Sequence, residues 1–184
     1  EELKKLGVTF IKSETGEELI NEDIDLMIKN PGIEPFHPCV KKASELNIPI
    51  INEMEVAYHY LPKNVKIIGV TGSNGKTTTT TIIYNLLKLH NIDVTLGGNI
   101  GIPLCEILDS IKENSVLLLE ISDHQLYNLK DFKTDISVLT NICPTHLDFH
   151  GNYENYKNTK KKIFNHHTIK DLAFINYSNK DSLE

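Results

Sequence analysis

With 184 residues, the chain has room for one full domain or parts of two, and its 40% hydrophobic and 24% charged composition is that of an ordinary globular protein. The net charge of −6 argues against a broad phosphate-tracking surface, so nucleic acid is not an expected partner. No apolar run is long enough to span a bilayer and residues 1–20 lack the apolar core of a signal peptide, so membrane insertion is not expected either. Three scattered cysteines (Cys39, Cys105, Cys143) show no C-x-x-C pair, which fits a reducing cytoplasm without a disulfide framework. The first residue is Glu1 rather than Met, so the sequence reads as part of a longer protein.

In chain order, short apolar runs alternate with helical stretches, the pattern of a parallel α/β sheet. Asp25–Ile28 reads as a buried strand ending in the turn Asn30-Pro31-Gly32, Pro38–Leu46 as a helix and Pro49–Asn52 as a short strand. Glu53–Tyr60 reads as helical, and Leu61-Pro62-Lys63-Asn64 as a linker. A second series follows: a strand over Val65–Val70, a glycine-rich turn, and a helix from Lys76 to Leu89. Val116–Leu119 and Ile136–Leu139 read as strands, Tyr153–Phe164 as a helix and Leu172–Asn176 as a late strand. Three of these strands run into polar clusters. In open α/β sheets ligands collect just beyond the carboxyl ends of strands, so one site assembled from several loops is expected.

The segment Gly69-Val70-Thr71-Gly72-Ser73-Asn74-Gly75-Lys76-Thr77-Thr78 carries the clearest chemistry. Glycines let the backbone turn tightly with its N–H groups aimed at phosphate oxygens, and a helix starting at Lys76 adds its positive dipole end. In such a loop Gly72, Ser73, Asn74, Gly75, Lys76, Thr77 and Thr78 bind ATP. Lys76 reaches the β- and γ-phosphates, and the Thr77 hydroxyl ligates Mg²⁺. The strict phosphate-loop pattern wants glycine where this chain has Val70. The threonine run Thr77–Thr81 is a poor helix opener by propensity, which points to a functional reason for it.

Thr71–Thr77 (T-G-S-N-G-K-T) resembles the phosphate loop of the Mur ligase family, in which the position of Val70 need not be glycine. Asn30-Pro31-Gly32-Ile33 is similar to the family's S-P-G-I turn, and Ile48–Ala57 to the strand and helix that close its first domain. Gly98-Asn99-Ile100-Gly101 resembles the G-N-I-G motif of the D-glutamate-adding member. Thr140-Asn141 with His146-Leu147-Asp148 resembles T-N-x-x-x-x-H-L-D, and Tyr156–Lys160 resembles Y-x-x-A-K with Thr159 in the alanine place. Glu120–Leu126 departs from the usual E-[LV]-S-S-F-Q-L, because Asp123 and His124 replace Ser and Phe.

The resemblance implies a bacterial, cytoplasmic, ATP-dependent ligase of peptidoglycan synthesis that adds D-glutamate to UDP-N-acetylmuramoyl-L-alanine through an acyl phosphate. It implies Mg²⁺ on Thr77 and Glu120, and a second cation near His146 and Lys160, with Lys160 carbamylated so that it offers an anionic oxygen. Lys76, Lys160 and His146 are then the catalytic candidates, and Asn99, Ser122 and Gln125 the substrate-binding ones. A lone Glu120 reads by default as a solvated strand-end carboxylate, a default that its position beside the other motifs reverses; His146 alone reads more often as a structural histidine, and Asn99 also reads as a turn residue between glycines. Lys160 lies in the run Lys157, Lys160, Lys161, Lys162, usually a solvated helix face. The remaining histidines, His166-His167 among them, are assigned to surface or packing.

By the same resemblance, residues 1–62 correspond to the later part of a Rossmann-like domain for the UDP substrate. Residues 63–184 correspond to the first part of a parallel-sheet ATPase domain, with both ends of the whole enzyme missing. Other Mur ligases and folate polyglutamate ligases stand as alternatives. Against them, the alanine-adding member has His in place of Asn74, and the folate enzyme favours G-K-G-S. A phosphate-loop regulator that ligates nothing is a third reading, which leaves Asn99, His146 and Lys160 without roles. Nothing in the sequence sets the oligomeric state.

Overall fold

A computed structural model describes residues 2–183. By compactness the chain divides into two units, Glu1–Met27 with Ile33–Ile50, and Ile28–Gly32 with Ile51–Glu184.

The first unit carries a short helix α1 (Glu2–Lys5), a single 3₁₀ turn at Glu17–Leu19, and helix α2 (Pro38–Glu45). Proline at the first position of α2 costs no hydrogen bond, since that N–H has no partner inside a helix. Val40 and Ala43 form the inward face of α2 and are buried. Strand β1 is only Met27–Ile28, and it pairs with β2 (Ile50–Ile51). The buried strand expected over Asp25–Ile28 is thus shorter and more exposed than its composition suggests, with Leu26 43% and Ile28 56% accessible. A short, mostly apolar run does not specify how many of its residues find a pairing partner.

The second unit is built on a five-stranded sheet in the order β4-β5-β3-β6-β7. Its strands are β3 (Lys66–Thr71), β4 (Val94–Gly98), β5 (Val116–Glu120), β6 (Ile136–Leu139) and β7 (Leu172–Ile175), all parallel. The parallel α/β architecture read from the alternating pattern is the observed one. β4 was not anticipated, because its sequence Val-Thr-Leu-Gly-Gly ends in two residues that depress strand propensity.

Side chains alternate across the sheet as period-two geometry requires. Ile67, Leu117 and Leu119 face one side and pack with Met54 and Ala57 of α3 (Glu53–His59). Leu104 and Ile107 of α5 (Leu104–Ile107) join the same cluster. Ile68, Val70, Val94 and Leu118 face the other side against Ile83, Tyr84 and Leu87 of α4 (Lys76–Leu89). The remaining helices of this unit are α6 (Asp123–Tyr127), α7 (Leu147–His150) and α8 (Tyr153–Lys161), the last continuing as a 3₁₀ turn to Phe164. The register fixes the working edge: Val70 and Gly98 both pair with Glu120, and Thr71 pairs with Leu139. Four strands therefore end in one layer, and their outgoing loops meet there.

Candidate functional site

The turn after β3 is a tightly pinned loop. Val70, at the position where the strict pattern wants glycine, is a fully buried strand residue whose side chain belongs to the α4 side of the core. The loop proper begins at Gly72, whose φ is +151° and whose missing Cβ would sit 1.9 Å from Thr140 Oγ1. Gly75, at φ +80°, is the N-cap of α4. α4 covers Lys76–Leu89 as the pattern predicts, threonine run included, so packing overrides the weak local propensity. Lys76 Nζ folds back to donate to the carbonyls of Gly72 (2.8 Å) and Ser73 (3.0 Å), while Thr77 and Thr78 are exposed on the first turn.

Thr140-Asn141, leaving β6, holds this loop in place. Asn141 accepts from Ser73 N at its carbonyl and from Asn74 N at Oδ1, and its Nδ2 donates to Asn74 O. Thr140 Oγ1 donates to Asn74 O at 2.6 Å. The Ser73 hydroxyl, which the sequence placed toward nucleotide, lies 2.7 Å from Tyr156 Oη and donates to Cys143 O.

At the end of β5, Glu120 is 2% exposed. Its Oε1 accepts from Asn99 Nδ2 at 2.8 Å, but its Oε2 is buried without a hydrogen-bond partner among the described residues. A buried carboxylate oxygen in that state is costly unless a cation meets it. That is a fit for a divalent metal ion, and it sets aside the solvated-carboxylate reading. Asn99 is positioned by Gly98, whose φ is +95° and whose Cβ would lie 2.3 Å from the Glu120 carbonyl oxygen. Ser122 and Gln125 close on each other as a capping box for α6, Ser122 Oγ accepting from Gln125 N and Gln125 Oε1 accepting from Ser122 N. Both still line a cleft of about 280 Å³ with Asn30, Gly32, Asn99 and His124.

Lys160 is completely buried, so the solvated-face reading is wrong for it. In α8 the inward stripe is Tyr156, Thr159, Lys160 and then Ile163, at helical spacing. Lys160 Nζ donates to Thr71 Oγ1 at 3.2 Å and lies 3.4 Å from Asp123 Oδ1. Burial lowers its pKa from 10.5 to about 8, partly offset by Asp123; the charges of Lys76 and Glu120 also reach it. Asp123, itself 1% exposed, is a hub: His146 Nδ1 and His150 Nε2 each lie 2.9 Å from its Oδ2, and His124 Nδ1 lies 3.6 Å away. Burial would raise its pKa, but the hydrogen bond from His150, the charge of Lys160 and the hydrogen bond from His146 hold it well below the usual carboxylate range. His146, at φ +51°, is half-exposed and opens this cluster to solvent.

Residues 70–184 match the model of the Mur ligase middle domain. The chain belongs to the Mur ligase family. It is 44% identical over 176 residues to the UDP-N-acetylmuramoylalanine--D-glutamate ligase of Geobacillus sp. strain WCH70, covering 96% of this chain and 39% of that protein. The ligase of the same name from Oenococcus oeni is 46% identical over 163 residues, 89% of this chain and 37% of that protein. Among solved structures, a MurF ligase from Thermotoga maritima in complex with ADP superposes with a TM-score of 0.55 at 26% identity, over 83% of this chain and 44% of that one. The chain thus spans about 39% of the length of the first of these ligases. Within this Mur ligase chain, the strand ends gather Gly72–Thr78, Asn99 and Glu120, and the start of α7 and helix α8 bring His146 and Lys160 to the Asp123 carboxylate. Sequence reasoning missed Asp123 and His150 as members of that cluster. It read Asp123 only as a departure from the motif, although the spacing of His146 and His150, one helical turn apart, was a usable signal.

Proposed function

We propose that this chain works within an ATP-dependent ligase that joins D-glutamate to UDP-N-acetylmuramoyl-L-alanine in cytoplasmic peptidoglycan synthesis. The observation that carries the reading is Glu120 Oε2, a buried carboxylate oxygen without a hydrogen-bond partner among the described residues, at the strand end beside the glycine loop. In this account residues 1–62 belong to the UDP-substrate domain and 63–184 to the central ATPase domain.

The Gly72–Thr78 loop wraps the ATP phosphates with its N–H groups, and Lys76 leaves the Gly72 and Ser73 carbonyls for the β- and γ-phosphates. Thr77 and Glu120 would hold Mg²⁺, which would supply charge neutralisation at the phosphates; the γ-phosphoryl group passes to the substrate carboxylate, giving ADP and an acyl phosphate. The amine of D-glutamate then attacks the acyl carbon, the amide bond forms, and phosphate and a proton leave. Asn99 and Gln125, with Ser122, orient the carboxylate across the cleft they line. His146 and a carbamylated Lys160 would hold a second cation. Burial, which lowers the Lys160 pKa to about 8, gives it a larger share of neutral amine than an ordinary lysine, and that form adds to CO₂ with loss of a proton to form the carbamate. In the protein encoded by the complete gene, Glu120→Gln and His146→Ala each raise the Mg²⁺ concentration needed for half-maximal ADP release. An unchanged Mg²⁺ dependence in both variants refutes the metal assignment.

A further inference from the structure

His124 stands where the resembling motif carries Phe, and its ring lines the same cleft as Asn99, Ser122, Gln125 and the turn at Asn30, Pro31 and Gly32. We propose that His124 is a specificity-determining residue of that cleft, accepting at Nε2 a hydrogen bond from the amide N–H that adjoins the reacting carboxylate of the acceptor substrate. The proposal rests on the ligase reading above for the identity of that substrate.

Packing explains an aromatic ring at this position but not an imidazole. Phe149 meets the His124 ring edge-on with centroids 4.3 Å apart, and Tyr127 meets Phe149 in the same way at 5.5 Å. A phenyl ring would keep such edge-to-face contacts. What the imidazole adds is a pair of ring nitrogens. Nδ1 stands 3.6 Å from Asp123 Oδ2, too long for a hydrogen bond. Nε2 makes no hydrogen bond to another described residue. The side chain therefore carries polar capacity that the surrounding protein does not use.

The surroundings turn one edge of the ring inward and the other outward. Opposite the buried Asp123 carboxylate a proton on Nδ1 is favoured, because a lone pair there would face negative charge. That tautomer leaves the acceptor lone pair on Nε2. With Nδ1 facing a buried group, the 26% of the side chain that is accessible lies on the opposite edge, which carries Nε2. Phe149 holds the ring plane, so the acceptor is presented already oriented. Asn99, Ser122 and Gln125, which orient the substrate carboxylate in the ligase reading, line the same cleft. In an acyl-amino acid the amide nitrogen is joined to the carboxyl group through a single carbon. A substrate whose carboxylate meets those residues thus brings its N–H to the wall that carries His124. A compound without that donor leaves the nitrogen unpaired, and the site discriminates against it.

The test compares, by calorimetry on the protein encoded by the complete gene, the binding of UDP-N-acetylmuramoyl-L-alanine with that of its depsipeptide analogue, in which an ester oxygen replaces the amide N–H. Wild type is expected to bind the amide about fivefold more tightly than the ester, the worth of one neutral hydrogen bond. His124→Phe, which restores the motif residue, should lose that preference. His124→Gln, which carries an acceptor oxygen at similar reach, should recover part of it. In turnover, His124→Phe should raise KM for the amide substrate with kcat little changed. ADP with Mg²⁺ should bind His124→Phe as it binds wild type, which places the effect in the cleft, and far-UV dichroism shows that the variants fold. A wild type that binds amide and ester equally, or an undiminished preference in His124→Phe, overturns the proposal and leaves the ligase reading standing. A wild type that binds neither compound sinks the ligase reading and this proposal with it.

Discussion

Gly72→Ala is the most informative backbone substitution, because its cost follows from two separate terms. At φ +151° an alanine is strained by roughly 1–3 kcal/mol. The added Cβ would also sit 1.9 Å from Thr140 Oγ1 and 3.1–3.2 Å from the backbone of Asn141. Thr140 can rotate away only by giving up its hydrogen bond to Asn74 O, worth about 1 kcal/mol net, and the Asn141 backbone cannot rotate at all. The sum is roughly 2–4 kcal/mol, released by deforming the loop rather than by unfolding the sheet. Gly75→Ala supplies the control: φ is +80° but nothing lies closer than Thr140 Cβ at 4.0 Å, so only the left-handed strain of roughly 1–2 kcal/mol remains. Calorimetric titration with ADP and Mg²⁺ should show Gly72→Ala weaker than wild type by roughly 30-fold or more and Gly75→Ala by roughly tenfold. Adding Thr140→Ala to Gly72→Ala should cost less than Thr140→Ala costs alone, since the clash is relieved. Wild-type affinity for Gly72→Ala, or additive losses in the double variant, would refute the claim that Thr140-Asn141 moulds this loop.

Two further outcomes are expected. In the protein encoded by the complete gene, Lys160→Ala should remove nearly all ligase activity, with partial rescue by acetate, which supplies the missing anionic oxygens in the vacated space; Lys161→Ala and Lys162→Ala should be mild and unresponsive. Full activity in Lys160→Ala, or equal losses at all three, refutes the carbamate. Glu55, 1% exposed, accepts from the backbone N–H groups of Lys130, Asp131 and Phe132, so Glu55→Ala strands three donors and should lower unfolding free energy by roughly 2–4 kcal/mol in urea melts. A loss below about 0.5 kcal/mol would place that loop's stability elsewhere.

In the second unit β3, β5, β6, β7 and α4 were legible, the strands as short apolar runs and α4 because Gly75-Lys76 marks a helix start by its chemistry, whereas β4, ending in two glycines, was not. Lys160 was harder. A lysine-rich run reads as solvated, and only the phase set by Tyr156 and Ile163 turns Lys157 and Lys160 inward. Ser122 and Gln125 read as ligand-facing polar residues, yet their spacing is also that of a capping box, and the structure uses it as one. The Asp123 hub was not legible from local pattern, since its partners come from positions 23, 27 and 37 residues further along the chain. Contacts of that range are set by the crossing of α6, α7 and α8 over one sheet edge, and no short-range periodicity encodes them.

The central claim is tested most directly by ADP release from the protein encoded by the complete gene. Wild type should release ADP only when UDP-N-acetylmuramoyl-L-alanine and D-glutamate are both supplied with ATP and Mg²⁺, with one amide bond formed per ADP. Lys76→Ala, still folded by dichroism, should release none above background. ADP release independent of the muramoyl substrate, or near-normal turnover in Lys76→Ala, would contradict the account.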